Sequence, residues 1–495
     1  VIYLEGTKKG RELIKVARNV VKNKPIIMIK AGRSAKGARA AASHTGSLAG
    51  SDKIFDAAFK QAGILRARSA NQAFNWAKTA ANQPLPGGED LVIITNGGGV
   101  GVLATDACED HGLKLFNDQE KLADIYDETV PEYGSTKNPV DMTGMADENY
   151  YRKAIKTSLK NDQIDSLIIL YCITEGQDPP KFARTFRQTI EQNNNSKPVT
   201  VSILGGSGAQ KGRQILNKSG VPAFEEPEDA VESLSVLYNW KNKKENITHF
   251  PKEKLDVDWN GIKNIIKNAR AQNRLELLES ESKNILKILG LPVPDFKKAS
   301  SEKECLNAAR EIGYPVAMKI ESEDIIHKTE SGGVQLNLSS PEEVSSAYNQ
   351  IISSVKKHNP GAKIRNVSIN EMISGGLEVI VGSSKDPSFG PTIMFGLGGI
   401  YVEVLKDVAF RVAPVDKKEA RNLISEINSY PLLLGVRGEP RKDIESLADV
   451  IYRISRMVDK VREIVELDIN PLKILEDGQG CKVLDCSITI SEVEK

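Results

Sequence analysis

LVIITNGGGVGVLATDACEDHG, residues 91–112, joins three signals in one run. The apolar run LVIITN predicts a buried strand, and the glycines after it predict a tight turn from which a helix opens. A strand that enters a helix in this way is half of a parallel β-α-β unit, whose crossover is right-handed. The pattern recurs downstream in SLIILYC (166–172), PVTVSIL (198–204) and VPAF (221–224), each followed by a helical stretch. Residues 88–242 are therefore expected to form a doubly wound parallel sheet with helices on both faces.

The same alternation is present upstream, but shorter. GRELIKVARNVVKN (10–23) puts Leu13, Ile14, Ala17, Val20 and Val21 on one helical face, and KPIIMIKAG (24–32) follows as a short buried strand. Helices are expected at about 51–62 and 70–82, with GILRA (63–67) between them. Two or three strands cannot cover both helical layers of such a sheet. Residues 1–84 thus read as the later part of a flavodoxin-like domain whose opening strands would lie upstream. NQPLPGGED (82–90) reads as a linker to a second flavodoxin-like domain, residues 88–242.

KNKKENITHFPKEKLDVDW (241–259) is charged and lacks apolar periodicity, so a linker is placed at 243–264. From 265 to 495 the character changes to α+β. Helices at about 275–290 and 301–312 precede the strands YPVAMKIE, GGVQLNL, NVSINEMI, LEVIVGSS and PTIMFGL. Helices at about 416–428 and 441–459 follow, and REIVELDINPL and CKVLDCSITI close the chain.

Composition excludes several classes. Lys+Arg 67 against Asp+Glu 66 leaves a net charge of +1, which gives no basic face for nucleic acid. Cys108, Cys172, Cys305, Cys481 and Cys486 form no CxxC and no dense framework, so a reducing cytoplasm is the expected setting. No apolar run approaches the roughly 20 residues of a membrane span.

AASHTGSLAG (41–50) sets His44 among residues that favour neither a helix nor a core. Small residues and hydroxyls leave room and donors for an anion beside the ring, and imidazole is both nucleophile and leaving group near neutral pH. With YLEG (3–6) and KPIIMIKAGRSAKGARA before it, this region resembles the phosphohistidine region of the NDP-forming acyl-CoA synthetases, relatives of succinyl-CoA synthetase. The resemblance runs along essentially the whole chain. It implies that His44 carries the phosphoryl group and that Glu5 orients the ring. It also implies that two helix N-termini meet the phosphate, one offered by EGTKKGRELIK and one at Gly97, Gly98 and Gly99. Anions are favoured at such ends by unpaired N–H groups and the helix dipole. The loops GSTKNPVDMTG (134–144) and LGGSGAQKG (204–212) are placed near this site.

The C-terminal third resembles an ATP-grasp module. Lys319 in AMKIE would meet nucleotide phosphates, and Ser331, Gly332 and Gly333 in HKTESGGVQL would close over them. Glu371 and Glu378 in NEMISGGLEVIVG match the adenine and ribose region. Asn470 in ELDINPL and Asp485 in CKVLDCS match Mg²⁺ ligands, hard oxygens that nucleotide phosphates would complete. Strand alternation puts Asp468 on the face of Asn470, where the family supports a phosphohistidine at the nucleotide site. His327 matches a second phosphoryl carrier of the acetate-type, ADP-forming branch. No role follows from the sequence for Glu403 or Arg411.

The implied reaction is acid + CoA + ATP ⇌ acyl-CoA + ADP + phosphate, on a small carboxylic acid or hydroxy acid. The implied assembly is a homodimer, and a CoA-binding segment of the kind that opens fused family members has no counterpart before Val1. Two other readings stand beside it, a succinyl-CoA synthetase-like ligase and a regulatory, ligand-sensing protein without catalysis.

Overall fold

Apolar runs with no polar face become the central strands. The computed structural model of the chain describes residues 1–34, 36, 51–194, 196–247, 250–251, 255–322, 324–325, 331–358, 360–399, 402 and 404–492. The described chain forms two compact units. The first runs to residue 247, and the second takes the rest together with residues 8–11 and 51–58.

In the first unit β1 (Ile2–Leu4), β2 (Ile27–Lys30) and β3 (Leu65–Ala67) pair in parallel in that order. β4 (Leu91–Thr95), β5 (Val140–Asp141), β6 (Ser166–Cys172), β7 (Val199–Leu204) and β8 (Ala223–Phe224) make a second parallel sheet, ordered β5-β4-β6-β7-β8. This is the flavodoxin order, and it makes the C-terminal end of β4 a topological switch point.

The two sheets share one core. Helix Pro227–Asn246 buries Ala230, Val231, Leu234 and Leu237 among Ile27, Leu65 and Ala67 of one sheet and Leu91, Ile93, Ile168 and Leu170 of the other. Its Trp240 indole N–H donates to Val21 O at 2.8 Å. The stretch 82–90, read from sequence as a linker, is a pinned connection. Gln83 accepts from Val199 N–H and donates to Gly220 O, both at 2.9 Å. The Asp165 carboxylate takes the Asp90 N–H at 3.0 Å. Glycine and proline gave the stretch its linker character, but the side chains of Gln83 at one end and Asp165 against the other tie it down.

The second unit is antiparallel. β9 (Phe296–Ala299), β10 (Val316–Ser322), β11 (Val334–Leu338) and β12 (Ile364–Glu371) form a four-stranded sheet ordered β11-β10-β12-β9. Helices Glu302–Ile312 and Pro341–His358 bury one face of it through Cys305, Ala309, Val344 and Ile351. β13 (Leu377–Asp386), β14 (Gly390–Leu397), β15 (Val408–Val412), β16 (Ile464–Ile474) and β17 (Cys481–Val483) form the larger sheet in the order β15-β14-β13-β16-β17, and β18 (Cys486–Ile490) also pairs with β16. Both β17 and β18 lie along one edge of β16, so the chain breaks between them at Leu484–Asp485, opposite Asn470–Pro471.

Helix Trp259–Ala271 begins inside the stretch assigned from sequence to a linker at 243–264, and the preceding helix runs to Asn246, so helix occupies both ends of that stretch. Ile262, Ile266 and Ala269 are its buried face. Arg411, without a role from sequence, is buried on β15. Its guanidinium meets Glu419 at 2.8 Å and Glu426 at 2.6 Å, and so ties the sheet to helix Lys417–Ser425 and the turn after it. Glu403 lies outside the described residues.

Candidate active site

The sequence reading divides its site residues between the two units. In the first, β4 ends at Thr95 and helix Gly98–Asp110 starts two residues after Asn96. Asn96 is buried and ties β4 to β6, donating to Cys172 O and accepting from Cys172 N–H at 2.8 Å each. Gly97 is the N-cap, and its N–H donates to Thr95 Oγ1 at 3.0 Å. A Cβ on Gly97 would stand 2.9 Å from Cys172 Sγ, so only glycine lets the turn close this tightly. Gly98 and Gly99 are exposed, and as first-turn residues their N–H groups have no partner within the helix. An anion could sit there, beside the Asp141 carboxylate, which lies 3.4 Å from where a Gly98 Cβ would be.

Of the loops assigned to this edge, 134–144 wraps β5 through reciprocal Ser135–Asp141 bonds, next to β4. The stretch 204–212, read from sequence as a loop, is the end of β7 at Leu204, a two-residue turn at Gly205 and Gly206 and the start of helix Ser207–Lys218, one strand further from β4. Glu5 follows β1. One of its oxygens accepts from Tyr3 Oη at 3.2 Å, and the other is buried with no hydrogen-bond partner among the described residues. His44 lies outside the described residues, as does His327 of the nucleotide end.

In the second unit several predicted residues come together around Lys319, which is buried on β10. Its Nζ donates to Asp485 Oδ2 at 2.8 Å, to Leu484 O at 3.2 Å and to Glu279 Oε1 at 3.3 Å. Burial alone would lower its pKa, but Glu279 and then Asp485 outweigh that and the amine is pushed up to about 12. The Ser331–Gly333 turn is adjacent, since Gly333 O accepts from Ile320 N–H at 2.8 Å. Gly332 has φ +69, and the Ser354 hydroxyl is seated where its side chain would be, so any other residue there would be strained. Asn470 N–H donates to Asp485 O at 3.2 Å, which makes the two residues neighbours.

Asp468 is two residues before Asn470 and faces away from the core that holds Leu467 and Ile469. It stands opposite Gly382 of β13. Burial, then Glu466, then Asp485 push its carboxyl up to about 6. The folded chain therefore binds this proton more tightly than the unfolded chain, and stability falls as pH rises through 6. Asp468→Asn removes the titration. In EDTA buffers it is expected to melt above the wild type at about pH 8, by about 1 kcal/mol at this half-buried position, and nearly level with it at about pH 3.5, below the window from 3.8 to about 6 in which the penalty builds up. Thermal melts at the two pH values check this.

Glu371 and Glu378 lie further off. Glu371 ends β12, and its carboxylate accepts from Asp295 N–H at 3.2 Å. Glu378 is exposed on β13, in register with Lys473. They flank the segment that joins the two sheets, and neither has a described bond to the Lys319 group. The sequence reading missed Glu279, Lys283, Glu321 and Glu466. Glu279 and Lys283 have helical i,i+4 spacing, which alone reads as a surface pair.

Against known proteins, residues 1–80 match a succinyl-CoA ligase like flavodoxin domain, residues 91–248 a Ligase-CoA domain, and residues 268–490 an ATP-grasp domain. The chain is 40% identical over 494 residues to a 4-hydroxybutyrate–CoA ligase (ADP-forming) of Nitrosopumilus maritimus, a match covering 99% of this chain and 70% of that protein. It is 36% identical over 502 residues to acetate–CoA ligase (ADP-forming) I of Archaeoglobus fulgidus, with the same coverage. It is also 36% identical over 503 residues to an acetate–CoA ligase (ADP-forming) of Methanocaldococcus jannaschii, again over 99% of this chain and 70% of the relative. By these full-length likenesses the chain belongs to the ADP-forming acyl-CoA ligases, enzymes that join a carboxylic acid to coenzyme A with ATP as the other substrate.

Proposed function

We propose that this chain makes a short-chain acyl- or hydroxyacyl-CoA by way of phosphohistidine on His44 and an acyl phosphate, reversibly. The observation that carries the reading is the Lys319–Asp485 pair, a buried cation held against a carboxylate at 2.8 Å beside a glycine turn. In this reading Lys319 and the Ser331–Gly333 turn take the nucleotide phosphates, and Glu371 and Glu378 take the base and sugar side. An imidazole nitrogen of His44 attacks the γ-phosphorus, directly or after His327. The P–N bond forms as the P–O bond to ADP breaks. Glu5, whose buried oxygen lacks a described partner, accepts the ring's other N–H, and Asp468 does so at the nucleotide end. A carboxylate oxygen of the acid then takes the phosphoryl group, the N-terminal turn at Gly97–Gly99 meets the phosphate charge, and the CoA thiolate displaces phosphate from the acyl carbon.

Asn470 and Asp485 would hold Mg²⁺. Their donor set fits, one amide and one carboxylate on neighbouring backbone, with room in the shell for phosphate oxygens. Bound there, Mg²⁺ would neutralise phosphate charge.

Among the relatives that match 99% of this chain, the one named for 4-hydroxybutyrate is 40% identical and those named for acetate 36%, which is the ground for proposing a hydroxy acid, while acetate–CoA ligase subunits are 50% and 49% identical over 240 and 214 residues. The ligands are then the acid, CoA, ATP or ADP and phosphate, and the assembly is a homodimer. A reducing cytoplasm is supported by five cysteines that are all free. Among the described residues no helix is long and apolar enough to cross a membrane.

ADP release over acetate, propionate, 3-hydroxypropionate and 4-hydroxybutyrate, with CoA present, tests the substrate. Turnover on a hydroxy acid about tenfold above acetate is expected. Incubation with [γ-³²P]ATP should give acid-labile, base-stable label on the protein, and a chain that takes up no label would refute the relay.

A further inference from the structure

Lys319 has two carboxylate partners, and they differ in kind. The Asp485 side chain is 33% exposed and belongs to the predicted metal site, whereas the Glu279 side chain is only 3% exposed. Glu279 Oε1 is shared, at 3.3 Å from Lys319 Nζ and 2.8 Å from Lys283 Nζ. Lys283 in turn donates to Asn370 Oδ1 at 2.7 Å. Such a buried Lys–Glu–Lys row is not what stability alone selects, because desolvating the charges costs about as much as their attraction returns and apolar residues would pack as well.

The row is also rigidly mounted. Glu279 opens helix Glu279–Ile288, whose next N–H, on Ser280, donates to Glu321 Oε1 of β10 at 3.1 Å. Glu281 of the same turn receives Arg274 at 2.7 Å and Leu278 N–H at 2.9 Å. The first helical turn is thereby fixed to the strand that carries Lys319.

We propose that Glu279 is a positioning residue that holds the Lys319 ammonium at the cleft when Asp485 leaves it for the nucleotide's cation. Asp485 cannot serve a metal with the oxygen that now pairs with Lys319 and keep Lys319 in place as well. Glu279, nearly closed off from solvent, keeps its grip through the change. Lys283 supplies the second positive charge that lets a carboxylate stay ionised so deep in the protein. The inference rests on the reading of Lys319 as a phosphate-binding group.

The experiment measures MgADP binding by calorimetry, with thermal melts, on the 495-residue chain and four variants. Lys319→Met is expected to weaken binding by well over tenfold, and Glu279→Gln by about tenfold, the loss of one charge-assisted bond. Glu279→Gln also strands Lys283 and melts lower. The Glu279→Gln/Lys283→Met double variant removes the stranded charge, so its melting temperature recovers while its affinity stays about tenfold down. Adding Glu279→Gln to Lys319→Met causes no further loss. Wild-type affinity in the double variant, with Lys319→Met impaired, overturns the role of Glu279 alone. Wild-type affinity in Lys319→Met overturns the phosphate reading and this inference with it.

Discussion

Replacement of His44 by alanine is expected to abolish acyl-CoA formation, by about four orders of magnitude or more, and to leave MgADP binding unchanged. The two outcomes separate because the roles belong to different residues. The imidazole makes and breaks the P–N bond, and no neighbour in AASHTGSLAG can replace it, since Ser43, Thr45 and Ser47 offer only hydroxyls of far higher pKa. Nucleotide affinity resides instead in Lys319 and the Ser331–Gly333 turn. Acyl-CoA formation followed by thioester absorbance, beside calorimetric MgADP binding, checks both. With [γ-³²P]ATP, label that persists in His44→Ala and vanishes when His327→Ala is added would assign the second carrier to His327. Full activity in His44→Ala would remove that residue from the reaction.

Lys319→Met is expected to lower ATP-dependent turnover by about 10²- to 10³-fold, the usual cost of losing one preorganised charge at a transferring phosphoryl group. The amine, pushed up to about 12, is charged at every pH at which the enzyme would be assayed, so the loss should not be recovered by lowering the pH. The variant also leaves Asp485 without its 2.8 Å partner and takes one of the two cations from Glu279 Oε1. A fall in stability of up to about 3 kcal/mol accompanies the change, so assays belong well below the variant's own melting temperature. Lys319→Arg keeps the charge but not the point geometry, and should fall between the two. A coupled assay for ADP release across pH, with melts on the same samples, decides the matter. Turnover within threefold of wild type would show that Lys319 only fills the core.

Much of the fold was legible because its strands carry little but apolar residues. LVIIT, SLIILYC and VTVSIL are buried on both faces and could be nothing but central parallel strands. The start of the glycine-opened helix was legible for the same reason. The short strands were not. Val140–Asp141 and Phe296–Ala299 are set by their neighbours in the sheet rather than by any pattern of their own. The helix from Trp259 was missed because the charged run before it masked Ile262 and Ile266. In the site, Lys319, Asn470 and Asp485 stand in recognisable motifs, and the structure brings them into one group. Glu279 and Lys283 do not, because nothing in ESESK tells a buried pair from a solvated one until the helix is seen against β10. Glu466 acts through proximity to Asp468, which a strand register reveals and a motif does not.

Helix Pro227–Asn246 is closed over by parallel strands on both sides, and this bears on how the polypeptide can be divided. A gene fragment beginning at the Pro- and Gly-rich run near residue 86 would express the larger sheet with Ala230, Val231 and Leu234 stripped of half their neighbours. One ending there would leave Ile27 and Leu65 as bare oily surface. The boundary that sequence suggests is thus not a place to cut, because strands on both sides of it belong to one compact unit that runs to residue 247.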